Sequence, residues 1–385
     1  MQFIDLATQQ KRIRERIEAN ITAVLDHGQY IMGPEIRSLE ETLARYTGVK
    51  HAISCASGTD ALLLALMAYQ ICPGDAVFTT PFTFVATAEV ICLLGATPVF
   101  VDVEPQTFNM DASKLELAIR AIQGDGEAGA AVPRSETPLT ARGIIAVDLF
   151  GLPVDYDRLN AIADKYGLFV VEDAAQSFGA EYKGKKAGCL AEIGCTSFFP
   201  AKPLGCYGDG GMCFTDNQEL YEIINSLRTH GKGKHKYDNV RIGVNGRMDT
   251  LQAAILLAKF EIFPEEIELR RQVAQRYGRL LNQQAEVQAP EVPQEMKSAW
   301  AQYSVLARDE NHRTHLQARL KEAGIPTAIY YPTPLHRQTA FKFLGYKAGD
   351  FPVSEDFSGR IFSLPMHPYL SAADQKRIVK ILSNQ

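Results

Sequence analysis

Lys202 stands between an aromatic, strand-like run (Ser197, Phe198, Phe199) and four glycines, Gly205, Gly208, Gly210 and Gly211. Glycines let backbone pass close to a ligand without Cβ interference, so the 195–211 stretch can hold an amine against a flat molecule. An amine that attacks a carbonyl must first lose its proton. Its ordinary pKa, near ~10.4, therefore has to be lowered by burial or by imine formation. A lysine after an apolar strand is, on its own, a solvated strand end; the case for chemistry comes from the residues upstream.

Two other stretches supply that company. Ser57-Gly58-Thr59 opens an Ala- and Leu-rich segment, and a helix N-terminus with unpaired N–H groups, a glycine and a hydroxyl seats a phosphate. Alone, the tripeptide reads as a plain N-cap. The apolar run 168–172 ends in Asp173, and a buried carboxylate needs a positive partner or several donors because desolvation otherwise raises its pKa. A protonated pyridine nitrogen is one such partner; backbone amides around a structural Asp are the equal alternative on this segment alone. Ser197, five residues before Lys202, offers a second phosphate hydroxyl. Phosphate seat, pyridinium partner and imine lysine, in that chain order, are the three handles of pyridoxal 5'-phosphate (PLP), whose ring withdraws electrons when its nitrogen is protonated.

Strand-to-helix junctions must position these groups. Periodicity predicts helices over 9–26, ending near Gly28, and over 35–46. Strands and helices then alternate: strand 49–54, helix 57–69, strand 76–80, helix 85–94, strand 98–103, helix 113–122, strand 144–149, helix 156–166 and strand 168–173. That rhythm implies a parallel sheet, which binds ligands at the carboxyl ends of its strands. Strand 212–215 and helix 218–229 follow, and Asp249 with Gln252 reads as a capping box opening a helix to about residue 260. Helices near 265–281, 313–323 and 372–382 with a strand at 303–307 suggest a smaller α+β unit. The expected division is thus a large ligand-binding α/β unit over 1–260 and a small α+β unit over 261–385. Residues 123–141, with Gly124, Gly126, Gly129, Pro133 and Pro138, read as a surface insertion, and Trp300 as core packing.

With 385 residues, 46% of them hydrophobic and 22% charged, the chain is long enough for two such units. A net charge of −5 gives no electrostatic footprint for nucleic acid. No run is long enough to span a bilayer, and residues 1–30 carry scattered charges, so the expected location is the cytoplasm. The seven cysteines lack a CxxC pair and read as small buried hydrophobes. No His/Asp cluster suggests a metal centre, and no GxGxxG follows the first strand to suggest a dinucleotide site.

Six segments carry a resemblance to a known family: Gly58-Thr59-Asp60-Ala61, the run Pro81-Phe82-Thr83-Phe84-Val85-Ala86-Thr87, Glu172-Asp173-Ala174-Ala175-Gln176, the run from Ser197 through Lys202 to Gly205, Gly208-Asp209-Gly210-Gly211 and Val244-Asn245-Gly246-Arg247-Met248-Asp249. They resemble the DegT-type PLP-dependent sugar aminotransferases over nearly the whole chain. That resemblance implies the PLP-dependent transferase fold type I, with a mixed, mostly parallel sheet, and a homodimer whose active sites form at the subunit boundary. It implies that Lys202 forms the imine, Asp173 pairs with the ring nitrogen, Gln176 approaches the ring hydroxyl and Phe84 stacks on the ring. By the same resemblance Ser57, Gly58, Thr59, Ser197 and, from the second subunit, Asn245 hold the phosphate. Phe84, judged from its apolar run alone, would be core.

Within the family the chain is most similar to members that aminate UDP-2-acetamido-2-deoxy-3-oxo-glucuronate for bacterial surface polysaccharide, with glutamate as donor. The stretches that carry this include 27–34, 241–247 and 363–368. A uronate needs a cation, and Arg247 offers a planar two-pronged donor near Asn245. Tyr30, His230 and Tyr331 complete the implied substrate contacts, and the basic loop 230–236 is otherwise a solvated lysine-rich segment. Tyr330 departs from the histidine expected in that subgroup. A dTDP-3- or 4-keto-6-deoxyhexose aminotransferase is the nearest alternative, and a PLP-binding regulatory protein without turnover is a further one. A related sugar dehydratase would carry histidine in place of Lys202.

Overall fold

The computed structural model describes residues 1–125, 129–235, 237–284 and 286–383. Its first helices, α1 (Leu6–His27) and α2 (Pro34–Thr47), end at Gly28 and Gly48, whose positive φ angles of 68° and 86° close the helices in the left-handed conformation that glycine tolerates. The alternation that follows runs β1 (His51–Cys55), α3 (Gly58–Ala68), β2 (Asp75–Thr79), α4 (Ala86–Leu93), β3 (Thr97–Phe100), α5 (Ala112–Ile122), β4 (Thr140–Val147), α6 (Tyr156–Tyr166) and β5 (Phe169–Asp173). A small hairpin, β6 (Glu181–Tyr182) and β7 (Lys185–Lys186), precedes β8 (Ile193–Ser197), β9 (Gly211–Thr215) and α7 (Gln218–Leu227).

Among the described residues the central sheet has seven strands in the order β1-β9-β8-β5-β4-β2-β3. β9 runs antiparallel to both β1 and β8, while β2–β3, β2–β4, β4–β5 and β5–β8 are parallel. Side chains alternate between faces along each strand. Phe78, Ile144, Ala146 and Val170 therefore pack on one face against α2, α5 and α6, and Val77, Ile145, Val171 and Ile193 pack on the other against α3 and α7. Because both faces are covered, these strands read as continuous apolar runs.

Register places the chemistry at one edge. Val147 is level with Asp173, Asp173 with Cys195, and Gly211 with both Cys55 and Ser197. The carboxyl ends of β1, β5 and β8, and whatever follows them, meet there.

The chain continues through α8 (Thr250–Phe260) and α9 (Phe263–Gln284) to a second buried cluster built on α9, β11 (Tyr303–Leu306), α10 (Glu310–Glu322), β12 (Ile361–Leu364) and α12 (Ala372–Leu382). The two-residue strand β10 (Met296–Lys297) extends the hairpin sheet, and α11 (Pro352–Arg360) precedes β12.

Several expectations are corrected. Asp249 is the N-cap residue of α8 but makes no side-chain cap bond; Gln252 instead accepts the Tyr207 N–H at 2.9 Å, tying α8 to the lysine loop, so no capping box forms. The strand leading to Lys202 stops at Ser197, because Phe198 N–H turns to Gly210 O at 2.7 Å. The 123–141 insertion is partly anchored: Pro133 is buried and Arg134 N–H donates to Leu344 O at 2.7 Å, while residues 126–128 lie outside the described residues. Only Cys55, Cys195, Cys206 and Cys213 are buried; Cys72 is exposed, and Cys92 and Cys189 are intermediate. Trp300 does pack against a core, the one built on α9, β11 and β12, where it is half-buried and stacks on Tyr303 with ring centres 5.3 Å apart. Among the described residues no helix is long and apolar enough to cross a membrane.

Candidate active site

Gly211 lies between the ends of β1 and β8 and draws two distant segments together. A Cβ on it would sit 2.2 Å from Ser57 O, and one on Gly58 would sit 2.6 Å from Ser197 Cβ. Only the missing side chains allow the α3 N-terminus and the end of β8 to approach so closely. At that N-terminus the Ser57 hydroxyl accepts the Asp60 N–H at 3.0 Å and Ser57 O receives Ala61 N–H. The N–H groups of Gly58 and Thr59 thus stand at the positive end of the helix. Ser57 is an N-cap and part of an anion seat at once.

Asp173 closes β5 beside this seat. Its Oδ2 accepts the Thr87 hydroxyl at 2.8 Å and its Oδ1 the Ala175 N–H at 3.2 Å. Burial pushes its carboxyl above the usual carboxylate range, while these two donors and the Lys202 charge pull it part of the way back. Lys202 turns over the site from a loop in which its own N–H donates to Phe199 O at 2.9 Å. Burial lowers its ammonium from the ordinary value, and Asp173 offsets part of that. Among the described residues the Lys202 amine makes no hydrogen bond or ion pair, which suits a nucleophile.

The other predicted residues fall into two groups. Gln176 belongs with Asp173: its Oε1 accepts the Phe150 N–H at 2.8 Å and its Nε2 donates to the Tyr331 hydroxyl at 3.2 Å. Phe84 leads into α4, the helix that carries Thr87, and is 54% exposed, so the core expectation for it is overturned. Tyr30, His230, Asn245 and Arg247 stand on neighbouring loops, and none of their side chains hydrogen-bonds Lys202, Asp173 or Gln176. Arg247 Nε and Nη2 instead grip Asn245 Oδ1 at 3.0 and 2.7 Å. That grip leaves the Asn245 NH2 group as its donor. The base of this loop touches the phosphate seat, since Ala56 N–H donates to Gly246 O at 3.0 Å.

The Thr87 hydroxyl and the Phe150 N–H, which hydrogen-bond Asp173 and Gln176, are contacts that sequence reasoning missed. Thr87 falls in the first turn of α4, four residues after Thr83, and that pair of hydroxyls spaced by one turn is the signal that could have marked it.

These residues fit PLP on the structure's own terms. Among the described residues, a half-buried amine with no hydrogen bond or ion pair, a buried carboxylate lacking an ion pair and a cradle that a Cβ would fill correspond to its aldehyde, ring nitrogen and phosphate.

Comparison with known proteins follows the same direction. Residues 11–383 match the DegT/DnrJ/EryC1/StrS aminotransferase family. A curated relative from Pseudomonas aeruginosa, UDP-2-acetamido-2-deoxy-3-oxo-D-glucuronate aminotransferase, is 49% identical over 384 residues, covering 100% of each chain. The crystal structure of a DegT DnrJ EryC1 StrS aminotransferase from Brucella abortus is 50% identical, superposes with a TM-score of 0.93 and is covered to 98%, as is 99% of this chain. NtdA from Bacillus subtilis, solved with bound cofactor PMP, is 29% identical with a TM-score of 0.84 over 99% of this chain and 82% of its own. A match spanning nearly every residue, with the fold and the lysine-bearing edge of the sheet in place, makes this chain a member of the DegT/DnrJ/EryC1/StrS aminotransferase family.

Proposed function

We propose that the chain is a PLP-dependent aminotransferase that moves an amino group from glutamate to UDP-2-acetamido-2-deoxy-3-oxo-glucuronate, a step toward bacterial surface polysaccharide. The full-length 49% identity to the enzyme named for that substrate carries the choice of sugar. The nearness of Lys202, whose amine makes no hydrogen bond or ion pair among the described residues, to the buried Asp173 carboxyl supports the chemistry.

PLP supplies an aldehyde that condenses with amines and a ring that takes up the electrons released from a donor carbon. Asp173 holds a proton at the ring nitrogen, and the Thr87 hydroxyl keeps the carboxylate aimed. Lys202, its ammonium destabilised by burial, would be placed to move a proton between the donor's Cα and the carbon of the cofactor's aldehyde. Gln176, fixed at one end by Phe150, presents its NH2 toward the ring hydroxyl beside Tyr331. Phe84 covers one ring face. Ser57, Gly58, Thr59 and Ser197 take the phosphate, and Asn245 of a second copy adds its NH2. Arg247 receives the uronate carboxylate, with Tyr30, His230 and Tyr331 around the sugar nucleotide.

A homodimer fits the exposed apolar residues Tyr30, Ile31, Met32, Tyr237, Val240 and Ile242, most of them on the loops that carry the second group of site residues. The division into units 1–260 and 261–385 is supported by the separate cluster of α9, α10, α12, β11 and β12, although Phe263 and Ile267 still pack in the first. We place the enzyme in the cytoplasm, where glutamate and sugar nucleotides occur together.

The test is a panel of keto-sugar nucleotides offered with glutamate while 2-oxoglutarate is measured. UDP-2-acetamido-2-deoxy-3-oxo-glucuronate is expected to give the highest kcat/KM. Preference for a neutral dTDP-keto-6-deoxyhexose would defeat the role given to Arg247, and no 2-oxoglutarate with any sugar would leave a binding protein without turnover.

A further inference from the structure

The strand end that enters the phosphate seat and the loop that carries Asn245 are held by one buried cation. Arg228 caps the C-terminus of α7 and is 3% exposed. Its Nη1 donates to Ser54 O at 2.6 Å, to the Ser54 hydroxyl at 3.1 Å and to Glu40 Oε1 of α2 at 2.5 Å. Its Nε and Nη2 both donate to Asn225 Oδ1, one turn back on α7, at 3.0 and 2.6 Å. Glu40 Oε1 also accepts the Ser54 N–H at 2.9 Å and the Ser54 hydroxyl at 2.8 Å. Among the described residues Arg228 hydrogen-bonds none of Lys202, Asp173 and Gln176.

Two backbone bonds extend the grip. Arg228 O accepts the Gly246 N–H at 3.0 Å, and Gly246 O accepts the Ala56 N–H at 3.0 Å. One residue therefore holds the 54–56 segment at both ends, at Ser54 through its side chain and at Ala56 through Gly246. Ser57-Gly58-Thr59 follows at once, and its N–H groups face an anion only if β1 delivers the chain to a fixed place beside Gly211. Asn245 is anchored by the same bracket, since it pairs with Thr229 in an isolated bridge and the Val244 N–H donates to Leu227 O at 2.9 Å. A guanidinium suits this task because its planar fork meets acceptors on two sides at once, whereas an ammonium is a point donor on a flexible stem.

We propose that Arg228 is a positioning residue for the cofactor phosphate: by fixing Ser54 O and Gly246 together it sets the α3 N-terminus of its own site and the reach of Asn245 toward the site of a second copy. The inference rests on the phosphate roles proposed above for Ser57, Gly58, Thr59 and Asn245. Loss of the fork then weakens the hold on the phosphate and leaves Lys202 and Asp173, which Arg228 does not contact, as they are. A cation that only stabilised the fold would, when removed, weaken every part of the site alike.

Pyridoxal, which has the aldehyde and ring of PLP but no phosphate, separates the two cases. The dissociation constants of PLP and of pyridoxal are to be measured, from the visible absorbance that develops on binding, for the natural chain, Arg228→Lys and Asn225→Ala, each freed of bound cofactor. R228K keeps a charge beside Glu40 and loses the fork. N225A keeps the arginine and releases one side of its fork, and it decides the matter where R228K does not fold. The dissociation constant for PLP is expected to rise about tenfold or more in R228K and about threefold or more in N225A, while that for pyridoxal stays within about twofold of the natural value. A preference for PLP over pyridoxal that is unchanged in the folded variants would overturn the proposal, and so would a parallel loss of both compounds, which marks Arg228 as structural only. A natural chain that develops no visible absorbance with either compound would overturn the cofactor reading itself, and this inference with it, so the two failures are told apart by the natural chain alone.

Discussion

A buried carboxylate works as a ring-nitrogen partner only if its charge survives desolvation, and at Asp173 that charge is maintained by few groups. Thr87 supplies the shortest of the hydrogen bonds to it, at 2.8 Å. A hydrogen bond to a charged group contributes about 1.5–3 kcal/mol. Thr87→Val keeps the shape and removes the donor, so kcat is expected to fall roughly 10- to 100-fold with little change in KM for the sugar nucleotide; steady-state kinetics on the variant checks this. An unchanged kcat would mean that Asp173 is held by other donors. Asp173 and Lys202 were legible in the sequence only in combination, because with Ser57-Gly58-Thr59 they make up the three handles of one cofactor in chain order. Thr87 was not, since a hydroxyl that donates across 86 residues leaves no local pattern.

The elements that carry the chemistry were legible for the same physical reason that they are stable. Strands buried on both faces appear as short apolar runs, and helices between them as periodic ones, so the order from α1 to β5 could be followed with boundaries shifted by a few residues. The hairpin β6–β7 and the strand β10 are only two residues long per strand and escaped, being too short to show a period, and β12 escaped as well. The capping box was misread because Gln252 had a tertiary partner in Tyr207. What no local pattern could reveal is the contact between α3 and β8, set by sheet register through Gly211. In an open helix, replacing glycine with alanine is favourable by about 1 kcal/mol. Gly58→Ala is expected to do the reverse, destabilising the chain by about 1–3 kcal/mol as Ser197 is pushed aside and weakening cofactor retention. Urea unfolding and equilibrium dialysis against PLP check both; a stabilised G58A that keeps its cofactor would show that the seat is roomier than the geometry indicates.

Across the whole molecule, residues 57, 173 and 202 lie far apart in the chain and converge because β1, β5 and β8 end at one edge of one sheet. The resemblance covers that entire arrangement, which is why function was readable alongside fold, while the side chains of Tyr30, His230 and Asn245 make no hydrogen bond to Lys202, Asp173 or Gln176. The direct check on the convergence is covalent. The protein loaded with PLP is to be reduced with borohydride, digested and mapped by mass spectrometry. The expected result is a pyridoxyl group on the peptide containing Lys202 and on no other lysine; an unlabelled Lys202 peptide, or a label fixed elsewhere, would contradict the assignment on which the mechanism stands.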